Sequence, residues 1–487
     1  MLSATGKRRI LAYCSATDGR RSAALAPGSA VSAPILSAGQ QQKLPLTAVA
    51  ARLPRVSCRH QLGRAHEQEY LSDDWFRQRG ADVPARGPTH LIHETLHGIL
   101  SSVAWPAAIA TAWVVGELAY RLLSLPRISS YGIAGFAMAA SQGGFLDNPS
   151  GTPVALLAHF AFGLILFELG YRINLRWLRV NPWLAITGVA EAGGSFAAVF
   201  ILAQAFALPM VPSLLLAALA MATSPAAVLR VANELQSSGQ VTERLFHLTA
   251  CNCVLSLFVF KAVVGYWVLA SAGSAFEAVW NSLVVIGVSV AIGAAFGVAV
   301  PALLRQLGRI DRNATVAFAA AALLLTAVTH AFKFSPLLAA LAFGLVARHR
   351  RAILSQAQRN FGTLGDLLTV LLFVFIAASL DWQQVRNGLT LALAVIALRL
   401  AVKMAATTLF ARPSGITWRK GALTGLAMTP MSGLVIVLLE QTRHLKLYAL
   451  DQVAGLAAIV LLLEVIGPIL TRQALVWAGE THPREGR

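Results

Sequence analysis

Two kinds of residue sit where this chain's apolar sequence should leave no room for them. The first kind is ionisable: Glu191 in "GVAEAGGSF", Lys261, Arg399 and Lys403 in "LRLAVKM", and Glu464, each inside a long apolar stretch. Charge at that depth is costly, so it marks either an ion pathway or a structural pair. A pairing of Glu191 with Lys261 or Lys403 would tie helices together or couple a cation to a proton, and the residues alone leave both open. The second kind interrupts helices. "LAMATSPAAV" (219–228) carries Thr223, Ser224 and Pro225, and "LAMTPMSGLV" (426–435) carries Thr429, Pro430 and Ser432. Proline lacks a backbone donor and frees a carbonyl one turn earlier. In lipid such groups survive only where protein or a wet cavity satisfies them. Either Ser and Thr bond back to their own kinked helix, or the freed groups line a substrate site.

The elements that must hold these residues are membrane helices. Hydrophobic residues make up 56% of the 487 and charged residues 13%, against about a quarter charged in soluble domains. From residue 97 onward, apolar stretches recur at mostly 17–25 residues, the length that crosses a bilayer. Thirteen are expected: 100–120, 128–143, 152–170, 182–206, 211–231, 246–270, 279–303, 314–331, 335–349, 364–380, 388–410, 421–440 and 452–474. They lack the ten-residue alternation of a membrane barrel. The expected fold is therefore all-α, an integral membrane protein of about thirteen transmembrane helices. Glu117, Glu168 and Glu440 fall near stretch ends and read as interface anchors.

Loop charge sets the expected orientation. Loops after odd-numbered stretches hold seventeen Lys and Arg, including Arg172, Arg176, Arg179, Arg348 and Arg350; loops after even ones hold Lys333, Arg386, Arg443 and Lys446. Basic loops stay in the cytoplasm, so the N-terminus is expected outside and the C-terminus inside. The two interruptions lie in stretches 5 and 12, seven apart, and so run in opposite senses. Matched broken helices of opposite sense are the mark of an inverted-repeat secondary transporter with two crossed discontinuous helices. An intramembrane protease using Ser224 or Ser432 is disfavoured, because no His or Lys base stands at a motif spacing from either.

Three segments are expected: a basic extension over 1–95, a transmembrane domain over 96–476 and a short cytoplasmic tail over 477–487. Residues 1–66 hold one acid, Asp18. That composition fits an unstructured tail, and also an organellar transit peptide. A basic tail that must cross the membrane without a signal sequence favours a native start further along the chain. The net charge of +18 lies partly in this tail and mostly in short loops, with no basic aromatic-rich domain, so nucleic acid is not an expected partner. Four cysteines form no disulfide framework, no His/Cys spacing resembles a zinc site, and no Walker A or G-x-S-x-G motif occurs. Neither a cofactor nor an enzymatic activity is expected.

Several stretches resemble the cation:proton antiporter superfamily, in the branch of potassium-efflux and sodium/proton antiporters. "GELAYRLLSLPRISSYGIAGF" (116–136) resembles its opening helix and turn, and "GLILFELGYRINLRWLRVNPW" (163–183) its third span and Arg-bearing loop. "ATSPAAVLRV" (222–231) falls at its first unwound segment, and "KMAATTLFARP" (403–413) resembles its Lys-bearing helix. The resemblance covers roughly 100–475. It implies exchange of a monovalent cation (sodium or potassium) for protons, a homodimer formed through non-core helices, and a bacterial inner (plasma) membrane as location.

The resemblance also exposes a departure. The family places an ion-carrying aspartate after Asn, Asp or Gln in the helix following the first break; "LTACNCVLSLF" (248–258) keeps Asn252 and puts Cys253 there. A thiol buried among apolar groups stays neutral and is a poor ligand for a hard cation. Lys403 is then expected to lack its usual carboxylate partner. Three readings are open. The acid has moved, to Glu191, with Lys403 as proton carrier; or the scaffold carries an anionic solute toward two helix N-termini; or the protein is a non-transporting sensor. The expected pathway is Thr223, Ser224, Asn252, Cys253, Lys403, Glu191, Thr429 and Ser432.

Overall fold

The computed structural model describes residues 88–147, 153–269, 275–306, 310–350, 355–431, Val435, Leu438 and 455–481. Within them the chain is helical apart from one bridge between Ala139 and Leu146. The helices are α1 (Pro88–Leu123), α2 (Arg127–Met138), α3 (Pro153–Arg172), a short α4 (Leu175–Val180), α5 (Pro182–Ala205), α6 (Met210–Met221), α7 (Pro225–Glu234) and α8 (Gln240–Leu269). They continue as α9 (Ala275–Gln306), α10 (Ile310–Ala331), α11 (Pro336–His349), α12 (Ser355–Ala378), a short α13 (Trp382–Asn387), α14 (Leu389–Leu409), α15 (Trp418–Ala427) and α16 (Gly455–Trp477). Nine helical segments among the described residues are long and apolar enough to cross a membrane, counting α6 and α7 as one. Four exposed tryptophans, Trp267, Trp280, Trp418 and Trp477, sit near helix ends, where an indole meets the membrane–water interface. The protein is an integral membrane helical bundle.

Proline decides where several helices begin. Pro182, Pro225 and Pro336 occupy the first turn of α5, α7 and α11, where a missing N–H costs nothing and the fixed φ is already helical. Pro225 therefore starts a half-helix instead of kinking a continuous one, and the Met221 carbonyl freed a turn earlier accepts from the Lys403 ammonium at 3.3 Å. The same logic places the backbone break at Ala222–Ser224.

Two groups of helices form the bundle. One contains α5, α6, α7, α8, α14, α15 and α16, the other α1, α2, α3, α9, α10, α11 and α12; they meet where α8 packs on α9, α2 on α16 and α3 on α7. The first group repeats a pattern, with a helix (α5, then α14), a broken helix (α6–α7, then α15 with the break after it) and a third helix (α8, then α16). Burial separates the broken helix from the rest: 94% of the Met210–Glu234 window is buried, against 17% for Val103–Leu123. An interrupted backbone is tolerated only there, with protein on every side. In the second group, Gly344 of α11 lies so close to α3 that a Cβ would collide with the Phe167 carbonyl and stand 2.8 Å from the Tyr171 nitrogen.

At the chain ends, the extension expected over 1–95 lies outside the described residues up to 87, while 88–95 already belong to α1. The tail expected from 477 is not free at its start. Glu480 is buried, and its carboxylate accepts from the Val241 and Thr242 backbone nitrogens at 2.8 and 2.9 Å. The unpaired N–H groups and positive dipole end of α8 account for that docking.

Replacing Gly344 with Ala should wedge α3 from α11 and cost about 1–3 kcal/mol. Thermal unfolding of the purified protein in detergent would show a melting temperature several degrees lower; an unchanged value would mean that the two helices do not touch there.

Candidate functional site

The first break runs through Ala222, Thr223 and Ser224, with Ala222 extended at φ −65° and ψ 147°. Ser224 caps α7, its hydroxyl accepting from the Ala227 nitrogen at 3.4 Å. The second break follows α15, through Met428–Met431. The two cross in contact: the Ser224 nitrogen donates to the Pro430 carbonyl at 2.8 Å and the Thr223 hydroxyl to the Met428 carbonyl at 3.4 Å. Val435 and Leu438 are again helical and buried beyond the second break. Ser432 and Glu440 lie outside the described residues. Thr429 is buried, and its hydroxyl donates back to the Leu426 carbonyl of its own helix, which is the local back-bonding arrangement.

Arg399 closes this crossing. From α14 its guanidinium donates to the carbonyls of Ala220 (2.8 Å) and Ala222 at the end of α6, and to those of Thr429 and Met428 (3.4 Å) beyond α15. One cation thus answers the negative ends of two half-helices. Sequence reasoning noticed Arg399 only as a charge in a helix. Its spacing of four from Lys403, which puts both on one helical face, was the available signal for its place beside the site.

One turn further along α14, Lys403 meets Glu191 of α5; both side chains are fully buried and they form an ion pair. Of the two partners left open for Glu191, Lys403 is the one it meets; Lys261 is only half-buried, further along α8. The expectation that Lys403 lacks a carboxylate is therefore overturned, since Glu191 reaches it across 212 residues of sequence. The Lys403 ammonium also donates to the Met221 carbonyl at 3.3 Å and the Thr223 hydroxyl at 3.4 Å. Glu191 accepts in addition from Ser195 at 3.3 Å and from the Asn252 amide nitrogen at 2.7 Å. Gly425 lets α15 approach α14 at this level, because a Cβ there would stand 2.8 Å from the Lys403 carbonyl.

Asn252 commits both amide hydrogens, one to Glu191 and one to Thr223 at 3.2 Å, while its carbonyl oxygen is buried with no partner among the described residues. Cys253 points its thiol at the Thr223 carbonyl, 3.5 Å away. Thr223, Asn252, Cys253, Glu191 and Lys403 thus form one contiguous cluster. Ser224 and Thr429 lie beside it but commit their side chains to their own helices. Among the described residues no group of three His, Cys, Asp or Glu gathers as a metal site. What the cluster offers is oxygen: two carboxylate oxygens, a hydroxyl, an idle amide carbonyl and backbone carbonyls, with one ammonium among them.

Glu117 and Glu168, expected as interface anchors, join charged networks. Glu117 pairs with Arg121 and Arg127, and Glu168 accepts from Arg172 and Asn233, joining α3 to α7.

Crossed half-helices around a buried ion pair, repeated in two similarly ordered sets of three, define an inverted-repeat secondary transporter. Residues 107–477 match the family model for the transmembrane region of sodium/hydrogen exchangers, and the chain belongs to that family. The fold is similar to a structure of the sodium proton antiporter MjNhaP1 from Methanocaldococcus jannaschii at pH 8, with a TM-score of 0.60 and 16% identity over 79% of this chain and 98% of that one. A map of the same antiporter by electron microscopy gives a TM-score of 0.57 and 18% identity over 76% and 95%. No curated protein matches the sequence at a significant level.

Replacing Arg399 with Leu would leave four buried carbonyls without their donor, a loss of about 3 kcal/mol or more. The variant should melt markedly lower in detergent, whereas a Leu variant as stable as the parent would remove Arg399 from its place as keystone of the crossing.

Proposed function

We propose that the protein exchanges a monovalent cation for protons, with Glu191 as the cation-binding carboxylate and Lys403 as the proton carrier. The observation that carries this reading is the buried Glu191–Lys403 pair beside an Asn252 carbonyl oxygen that, among the described residues, has nothing to accept from. A cation arriving at Glu191 takes the place of the ammonium and is met by the Asn252 carbonyl and the Thr223 hydroxyl. Lys403 then releases its proton and becomes a neutral amine. When the cation leaves, Lys403 is reprotonated and pairs with Glu191 again. One positive charge faces the carboxylate in either state, so the site is never left holding an uncompensated charge in hydrocarbon. Cys253, a neutral thiol against a carbonyl, takes no part in the charge exchange.

An anionic solute is less well supported. The Ser224 backbone donor at the break is already committed to Pro430, Arg399 is occupied by four carbonyls, and a carboxylate fills the site. The basic odd loops support an N-terminus outside and a cytoplasmic C-terminus; the membrane we infer is a bacterial inner membrane. Helices outside the crossed group would form a homodimer contact.

The test is cation-driven pH change in everted vesicles or proteoliposomes, scanning sodium, potassium and lithium. The parent should exchange at least one of them, and a wholly inactive parent overturns the reading. Glu191→Gln should abolish exchange and, by stranding a buried ammonium, destabilise the protein by about 3–5 kcal/mol. Adding Lys403→Met to it should restore much of the stability but no exchange; a double variant that exchanged normally would reduce the pair to a structural one. Cys253→Asp places a second carboxylate near Lys403, and activity in that variant absent from the parent would count for a non-transporting or differently specific protein.

A further inference from the structure

A second carboxyl is buried in the bundle, away from the Glu191–Lys403 pair. Glu464 lies near the middle of α16 and is 1% exposed, and neither carboxyl oxygen has a hydrogen-bond partner among the described residues. Most buried polar groups are satisfied, and an ionised carboxylate without a partner is among the costliest things a bilayer-depth helix can hold. The ionised form is therefore disfavoured in this conformation.

Its surroundings hold it at a seam. On one side α2 presses close: a Cβ added at Gly132 would stand 3.1 Å from Glu464 Cγ and 3.4 Å from Oε1. One turn earlier in α2, the Ser129 hydroxyl donates to the Val465 carbonyl at 2.8 Å. On the other side α16 is fastened to the second break. Thr471 donates to the Ala427 carbonyl at 2.9 Å, and a Cβ at Gly467 would meet Pro430 at 2.8 Å. Glu464 thus stands where the crossed group of helices meets the other group, three residues from the Pro430 contact.

Among the described residues, the charged groups on the helices packed against α16 do not serve it. Arg399 and Lys403 of α14 are bound at the crossing, Arg127 of α2 pairs with Glu117 and Glu234, Arg230 of α7 with Asp366, and Lys420 of α15 with Glu480. Arg386 of α13 and Arg419 of α15 stand in end turns, and Arg419 bonds the Trp477 carbonyl. The repeat gives Glu464 a further meaning. As the third helix of its set, α16 occupies the place that α8, with Cys253 near its middle, occupies in the first.

We propose that Glu464 is a second proton-binding site, loaded while α2 and α16 are closed on each other and emptied when that seam opens to water. Its place in the transport cycle rests on the antiport reading above; the exchangeable proton itself does not. The step moves one proton and nothing else: the neutral acid releases it to water at an open seam and takes one back before the seam shuts.

The experiment uses the full chain in liposomes and dicyclohexylcarbodiimide, an apolar reagent that adds to protonated carboxyls. The adduct on Glu464 is quantified by peptide mass spectrometry from pH 6 to pH 9. Labelling at pH 6 should exceed that at pH 9 at least ten-fold. Glu464→Gln copies the neutral acid in shape and should fold, with gel filtration as the check, yet exchange at least ten-fold more slowly; Glu464→Asp should keep measurable exchange. No adduct, labelling that is flat with pH, or a Gln variant exchanging like the parent would each overturn the proposal. A parent that exchanges no cation defeats the antiport reading instead, and the labelling profile then decides alone whether Glu464 holds an exchangeable proton.

Discussion

Backbone groups released inside a bilayer have no water to turn to, and at the crossing most of the released carbonyls turn to one side chain. The Arg399 guanidinium reaches the ends of α6 and α15 together, and its planar fork suits that geometry as a lysine ammonium would not. Without it, two half-helices would point their negative ends at each other across an apolar gap. The rest of the site depends on where this residue sits. Lys403 is one turn on along the same face of α14, so the helix that fastens the crossing also delivers the ammonium to Glu191.

Charge at the site is arranged around one acid and one base. Glu191 is fully buried, and its oxygens take an ammonium, an amide and a hydroxyl. A further carboxylate at the position of Cys253 would leave two acids competing for Lys403 in a low-dielectric interior, where like charges cannot both stay ionised. A neutral thiol avoids that conflict and leaves Glu191 as the only acid bonded to Lys403 among the described residues. Beside that pair the Asn252 carbonyl oxygen is buried with no hydrogen-bond partner among the described residues.

The two groups of helices differ in how they are joined. Inside the second group, glycines bring α3 and α11 into backbone contact, a join that resists sliding. Between the groups, α2 packs on α16 with the Ser129 hydroxyl on the Val465 carbonyl, and ion pairs join α2 to α7 and α7 to α12. Through Thr471 and Gly467, α16 is fastened in turn to the second break.

Much of this was legible in the residues. Stretch lengths and their low charge determine a helical membrane bundle, because a bilayer of fixed thickness admits little else. Pro225 and Pro430, in helices of opposite sense, determine the paired breaks, since proline cannot continue a backbone ladder. Only the tertiary structure decides that Glu191 takes Lys403 and not Lys261, that Arg399 serves carbonyls and not an ion, and that Glu480 docks on α8. Those outcomes depend on which faces of distant helices meet. Local sequence dictates how each helix starts, stops and faces the lipid, but a pair 212 residues apart is chosen by packing, through small residues such as Gly425 that let the helices come close enough.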